Sequence, residues 1–193
     1  WIVRAAPRIL GALGPSGRVA LLAVAGGIFT HLVHFQAPHW ALGMAADIAT
    51  GIFSVSTPGV HLGDDGEARE KAREVNEFMA SVVHGHPPGR FGFFAVLPLP
   101  DVGGAIAEAH YALDTLGADG VMLLASVRGT YLGDLAWEPL MDELGRRGTV
   151  VFVHPSELQA PEVPGIPPFA ADFLLDTTRA AIHLAQSGVL ERY

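Results

Sequence analysis

Four times along this chain, a short apolar, β-branched run gives way to an amphipathic helical stretch, at intervals of about thirty to forty residues, the size of a βα unit. That alternation restricts the fold more than any other feature. Right-handed crossovers set successive strands parallel and place the helices outside them. The class predicted is α/β, of the (β/α)₈ TIM-barrel type.

Ile48 to Val55 reads as the first strand, closed by Thr57-Pro58-Gly59. Asp64-Asp65-Gly66-Glu67 supplies an N-cap and an acidic first turn. Behind it Ala68, Ala72, Val75, Met79 and Val82 recur at helical spacing until Pro87-Pro88-Gly89. Phe91 to Leu97 is the next strand, stopped by Pro98, and Asp101 caps a helix carrying Ile106, Ala109, Leu113 and Leu116. Val121 to Ala125 follows. Asp134 caps a helix with Trp137, Leu140, Met141 and Leu144, and Gly148 leads into Val150 to Val153. A last helix over Ala170 to Gln186 carries Phe173, Leu174, Thr177, Ala181 and Leu184.

Parallel strands place their carboxyl ends on one rim, where barrels of this type put their chemistry. The tips are Ser56, Pro98, Ser126 and His154. Ser56, Pro98 and Ser126 are expected to line a substrate pocket by position. The loops that follow the tips, notably Arg128 to Asp134 and Ser156 to Pro168, are long and polar, whereas Leu116 to Gly120 on the other side is short. His154 ends the run Thr149-Val-Val-Phe-Val-His-Pro155. A histidine there is a metal ligand, an acid–base group, or an imidazole satisfied by backbone.

The chain has 193 residues, no cysteine and a formal net charge of −8. Without cysteine there are no disulfides, thiolate metal sites or thiol nucleophiles, which suits a cytoplasmic setting. The acidic balance argues against nucleic acid as a partner. Val19 to Phe29 is too short to span a bilayer, so no membrane partner is expected; its length and the preceding arginines allow an export signal or a core element. Residues 1–46 do not resolve into units, whereas 47–193 read as a partial barrel. A full barrel takes roughly 250 residues, so the first and last βα units are expected to be missing or altered.

Several tempting motifs have simpler readings. His84-Gly85-His86 falls at the tail of a helix rather than a strand tip, where an H-x-H pair would chelate. His31, His34 and His39 lack accompanying carboxylates. Asp64, Asp65 and Glu67 are accounted for by capping. Ser54 and Ser56 lack a G-x-S-x-G elbow, and there is neither a P-loop nor a dinucleotide fingerprint.

Taken together, Ser54-Val-Ser-Thr-Pro-Gly-Val-His61, Val75-Asn-Glu-Phe78, Gly89-Arg-Phe-Gly-Phe-Phe-Ala-Val-Leu-Pro-Leu-Pro100 and Leu116-Gly-Ala-Asp-Gly-Val121 form a specific set. Gly129-Thr-Tyr-Leu-Gly-Asp134, Val151-Phe-Val-His-Pro155, Asp176-Thr-Thr-Arg-Ala180 and Ser187-Gly-Val-Leu-Glu-Arg-Tyr193 extend it. Over about residues 38–193 the chain resembles the amidohydrolase-related family that includes aminocarboxymuconate-semialdehyde decarboxylase and the hydroxybenzoate decarboxylases. The resemblance implies a metal-dependent carboxy-lyase acting without an oxidant on a small aromatic or unsaturated carboxylic acid. One divalent metal is implied, usually zinc and in some members manganese.

His154 matches the family's fifth-strand metal ligand. The first-strand H-x-H pair, the last-strand aspartate and the sixth-strand acid–base histidine have no counterpart in this sequence. A metal-dependent hydrolase of the same family is the nearest alternative. From another class comes an inactive half-barrel acting only in association, since unpaired strand edges and an uncovered apolar wall favour contact between copies. A homo-oligomer, dimer or tetramer, is the expected assembly.

Overall fold

The computed structural model describes residues 50–193, apart from 157, 159, 162 and 163 and the side chain of residue 169. The expected reading of residues 1–46, with its apolar run and His31, His34 and His39, lies outside the described residues. The elements are β1 (Gly51–Phe53), α1 (Asp65–His84), β2 (Phe91–Val96), α2 (Val102–Asp114) and β3 (Gly120–Leu124). A small hairpin, β4 (Ser126–Val127) and β5 (Thr130–Tyr131), follows, and a 3₁₀ turn (Leu135–Trp137) runs into α3 (Glu138–Arg147). β6 (Val151–His154), α4 (Pro168–Gln186) and α5 (Val189–Arg192) complete the chain.

β1, β2, β3 and β6 make one sheet in that order, every pairing parallel. This is the half-barrel arrangement expected of an incomplete TIM barrel. Period-two alternation sorts the side chains between its faces. Phe93, Ala95, Val121 and Leu123 are buried against the helices, meeting Ala105, Ala109 and Ala112 of α2 and Leu140 and Leu144 of α3. Phe94, Val96, Met122, Leu124 and Phe152 belong to the other face. Here the Phe94 and Phe152 rings stack, with centroids 5.6 Å apart and 23° between planes. Phe94 stands opposite Gly120 in the register, and a Cβ added at Gly120 would come within 2.4 Å of the Val150 carbonyl oxygen and 3.1 Å of the Phe94 ring. A bare backbone at Gly120 is what lets the neighbouring strands close over it.

The helix starts follow the capping residues. Asp64 Oδ1 accepts from the Glu67 amide at 2.9 Å, and Asp101 Oδ1 accepts from the Gly104 amide at 3.1 Å. Asp134 caps the 3₁₀ turn, accepting from the Ala136 amide at 2.9 Å, so α3 itself begins only at Glu138. Gly148, at φ 63°, ends α3 in the left-handed region.

Several expectations need correction. Of the run expected from Ile48 to Val55, Ile48 and Ala49 lie outside the described residues, and β1 ends at Phe53, short of Ser54 and Val55. Its early end leaves the outer edge of β2 bare, and the buried amide of Asn76 fills it. Asn76 Oδ1 accepts from the Val96 amide and Nδ2 donates to the Val96 carbonyl, each at 2.9 Å, with Nδ2 also reaching Glu108 Oε1 at 2.8 Å. The stretch from Arg128 to Asp134 is not simply a loop, because it closes the β4–β5 hairpin. Arg128 (φ 51°) and Gly129 (φ 81°) occupy the two central positions, as a type I′ turn requires. On α4 the buried residues, among the described side chains, are Asp176 and Ala180, while Leu174 and Ala181 of the apolar set read in the sequence are exposed. The helix is held by polar anchorage at Asp176, which turns Leu174 and Leu175 outward while Leu184 packs against the core. Among the described residues no helix is long and apolar enough to cross a membrane.

Candidate functional site

At the carboxyl ends of β2 and β3 lies a cavity of about 260 Å³, just below the usual size of small-molecule sites. Val96, Met122 and Leu124 give it apolar walls, and His61, Ser126, Arg128 and Ser156 supply its polar side chains. β2 and β3 aim the first three inward by alternation. The hairpin turn carries Arg128, and the loop after β1 carries His61.

His61 is held from both ring nitrogens. Nδ1 faces two donors, the Gly63 amide at 3.3 Å and Arg128 Nη2 at 3.2 Å. It therefore accepts, and Nε2 donates to Asp65 Oδ1 at 2.7 Å. A neutral ring satisfies every one of these bonds. Arg128 is exposed, and among the described residues it is the fixed cation lining the cavity, with no carboxylate paired to it there.

Ser126 and Ser156 form the opposite wall. Their hydroxyls lie 2.8 Å apart, and Ser156 Oγ also accepts from the Ser126 amide at 3.2 Å. Behind them Asp176, fully buried, receives three donors. These are the Ser156 amide (2.7 Å), Ser156 Oγ (2.9 Å) and the Tyr131 hydroxyl (2.9 Å). Burial raises the Tyr131 phenol above its ordinary value; Arg179 pulls the other way, and the bond to Asp176 adds to the rise.

His154 ends β6 on the inner face. It stands opposite Leu124 in the register and is only 4% exposed. Its ring lies 6.3 Å from that of Phe152. A carbonyl oxygen can only accept, so the 2.7 Å contact between Nδ1 and the Pro155 oxygen puts the proton on Nδ1. Nε2 is left with its lone pair. Burial holds the imidazole below its ordinary value, opposed by the Pro155 hydrogen bond. A neutral ring with one nitrogen oriented by backbone suits a metal ligand. Among the described residues, however, no three His, Asp or Glu side chains converge to hold a metal, and a catalytic ion takes about three protein ligands. The described residues therefore do not by themselves fit the implied ion.

Of the other rim residues, Ser126 lines the cavity, whereas Ser56 and Pro98 do not. Pro98 is fully buried in the wall while its neighbours Leu97 and Leu99 face the cavity. Ser56 Oγ lies 3.5 Å from the Thr57 carbonyl. His84 and His86 are exposed at the end of α1, with the His86 ring bonded to the Val82 carbonyl at 2.7 Å and edge-on to Phe91. The residues of the candidate site not anticipated are His61, Arg128 and Ser156 of its lining and Asp176 behind them. Asp65, four residues beyond His61, is the one local signal among them; the others are joined only by the fold.

Comparison with known proteins agrees with this geometry. The amidohydrolase family pattern matches residues 36–193. The decarboxylase yanB of Aspergillus niger is 41% identical over 156 residues, which are 74% of this chain and 42% of that protein. The 6-methylsalicylic acid decarboxylase of Penicillium expansum is 37% identical over 168 residues, covering 81% of this chain and 52% of the relative. The chain thus spans about half the length of the curated relatives it matches. The crystal structure of dihydroxybenzoic acid decarboxylase from Polaromonas sp. JS666, with bound manganese and the inhibitor 2-nitroresorcinol, superposes with a TM-score of 0.68. It is 25% identical, and the match covers 82% of this chain and 51% of that one. Parallel strands with their polar groups on one rim, and a sequence match running through nearly all of them, have one origin: the chain belongs to the amidohydrolase family.

Proposed function

We propose that this chain carries part of the active site of a carboxy-lyase that removes CO₂, without an oxidant, from a small hydroxylated aromatic acid. The observation that carries the proposal is Arg128, a cation without a described carboxylate partner at the lip of an apolar-walled cavity on the carboxyl rim. A guanidinium binds a carboxylate in two-pronged fashion, and Met122 and Leu124 offer an aromatic ring its apolar contact. The relatives named for 6-methylsalicylic and dihydroxybenzoic acids support that substrate class. In the reaction the bond between ring carbon and carboxylate breaks and CO₂ leaves. The bonding electron pair remains on the ring carbon, which takes up one proton. Arg128 orients the carboxylate, and the apolar walls exclude water from it.

A divalent ion belongs to the proposal through one residue of this chain, His154, whose Nε2 would be a ligand. Manganese is the ion in the structural relative, and zinc is the alternative implied by the family. Metal analysis after loading with either ion checks the ligand: His154→Ala is expected to abolish any bound metal. The activity is tested with carboxyl-labelled 2,6-dihydroxybenzoate and either ion. Labelled CO₂ appearing in equal amount with resorcinol supports the lyase. Turnover of amide or ester substrates without CO₂ would instead favour the hydrolase.

Association between copies is favoured by a separate observation. Leu174, Leu175 and Ile182 stand 71%, 52% and 52% exposed along α4, a patch of the kind that contacts bury. Sedimentation of the chain against its Leu174→Lys variant tests it; an unchanged monomer in both would rule it out.

A further inference from the structure

The polar wall of the cavity has a direction, set by Asp176. A carboxylate can only accept hydrogen bonds, so the Ser156 hydroxyl, 2.9 Å from Asp176 Oδ2, is the donor in that contact. The competing acceptor for its single proton is Ser126 Oγ at 2.8 Å. The carboxylate prevails, because hydrogen bonds to an ionised acceptor are roughly twice as strong as neutral ones. Ser156 Oγ is then left with lone pairs alone. One receives the Ser126 amide at 3.2 Å, and the other receives the Ser126 hydroxyl proton. The chain of donors runs from Ser126 through Ser156 to Asp176, and the Ser126 proton is committed away from the cavity.

From this we infer that Ser126 faces the cavity as an acceptor only and selects ligands that present a hydrogen-bond donor, a phenolic hydroxyl above all. Ser156 and Asp176 are positioning residues that set its polarity. Ser126 and Ser156 both line the cavity, and both are buried together with Asp176, at 4%, 6% and 0% exposure. Bulk water therefore competes poorly for the hydroxyls. A methoxy oxygen, a fluorine or a second carboxylate offered to Ser126 would meet lone pairs and be disfavoured. The inference rests on the proposed hydroxylated aromatic-acid ligand and adds the residue that reads the ring hydroxyl and the direction of that hydrogen bond.

The experiment is calorimetric binding to the full chain of paired probes differing only in that group: 2-, 3- and 4-hydroxybenzoate against the matching fluorobenzoates, with the aminobenzoates as second donors. Fluorine approximates the hydroxyl in size but cannot donate. In at least one ring position the hydroxy and amino probes are expected to bind roughly three- to tenfold more tightly than the fluoro probe, the worth of one net hydrogen bond. Ser126→Ala should erase that ratio. Ser156→Ala is the more telling variant, because it keeps Ser126 but frees its proton to turn inward; the ratio should fall toward one and the fluoro probe should gain. A merely structural role for either serine would weaken all probes alike and leave the ratio standing, which would overturn the inference. Binding of hydroxy and fluoro probes with equal affinity at every position would overturn it too, while leaving the aromatic-acid reading intact. If no benzoate binds at all, that reading fails and this inference falls with it.

Discussion

Thr57 and His154 donate hydrogen bonds to the same acceptor, the carbonyl oxygen of Pro155, at 2.9 Å from Thr57 Oγ1 and 2.7 Å from His154 Nδ1. Thr57 follows the strand at one edge of the sheet and His154 ends the strand at the other. Thr57 and Pro155 are 98 residues apart in sequence. Three strand spacings in a flat sheet would separate those edges by roughly 14 Å. The shared acceptor shows that the carboxyl rim curls until its two outer loops meet. The same carbonyl fixes which nitrogen of His154 is free.

Replacing Thr57 by Val removes the bridge while keeping the side-chain shape. The expected cost is about 1 kcal/mol, the net worth of a typical hydrogen bond, read as a lowered urea midpoint with an unchanged slope. Because His154 retains its own bond to Pro155, Thr57→Val should leave the His154 tautomer unchanged by nitrogen NMR.

Arg128 is the one described residue other than glycine with a positive φ. Such a position costs a side chain of this kind on the order of 1 kcal/mol. Asn tolerates the left-handed region better, so Arg128→Asn should raise the thermal midpoint. It should also weaken benzoate binding by about tenfold or more, since a hydrogen bond to a charged group is worth about 1.5–3 kcal/mol. Calorimetry and thermal melts on one variant read both effects. A stabilised variant that bound benzoate as before would remove Arg128 from the site.

Gly120→Ala places a methyl against the Val150 carbonyl and the Phe94 ring. Overpacking of a tight core costs about 1–3 kcal/mol, and two strands must part to relieve it. Denaturant unfolding should show a loss in that range. Near-ultraviolet dichroism should show the Phe94–Phe152 stack disturbed.

The acid limb of stability should respond to Glu143. The Arg147 guanidinium first, then Arg146 and His110, hold its carboxyl down to about 2 from an ordinary 4.5. The unfolded chain takes up the proton first as pH falls, so this contribution is present above about pH 4.5 and is lost progressively toward pH 2. Glu143→Gln should lower the urea midpoint near neutrality, where the contribution is present, and flatten its pH dependence between about pH 4.5 and pH 2.

Much of the frame could be read without coordinates because its signals are local. Asp64 and Asp101 start helices where a carboxylate can reach an amide three residues on. Gly148 ends α3 by accepting a left-handed backbone. The unbroken apolar runs of Phe91 to Leu97 and of Val121 to Ala125 mark them as parallel strands with two covered faces. The hairpin at Arg128-Gly129 escaped this reading because only its second residue is a usual type I′ residue. Asn76 escaped because its helical position is polar, and nothing nearby reveals the bare edge of β2 that it fills.

Sequence by itself determined the βα alternation, the caps, the rim on which His154 and Ser126 stand, and the family. Those follow from residue type and spacing within one unit. Tertiary structure alone decided that His61 meets Arg128, that Ser126, Ser156 and Asp176 form one directed chain, and that α4 turns Leu174 outward. Each of these depends on how the sheet curls and where a later segment docks. Hydrogen bonds and burial act over a few ångströms in space, and no periodicity along the chain encodes which distant residues will come that close.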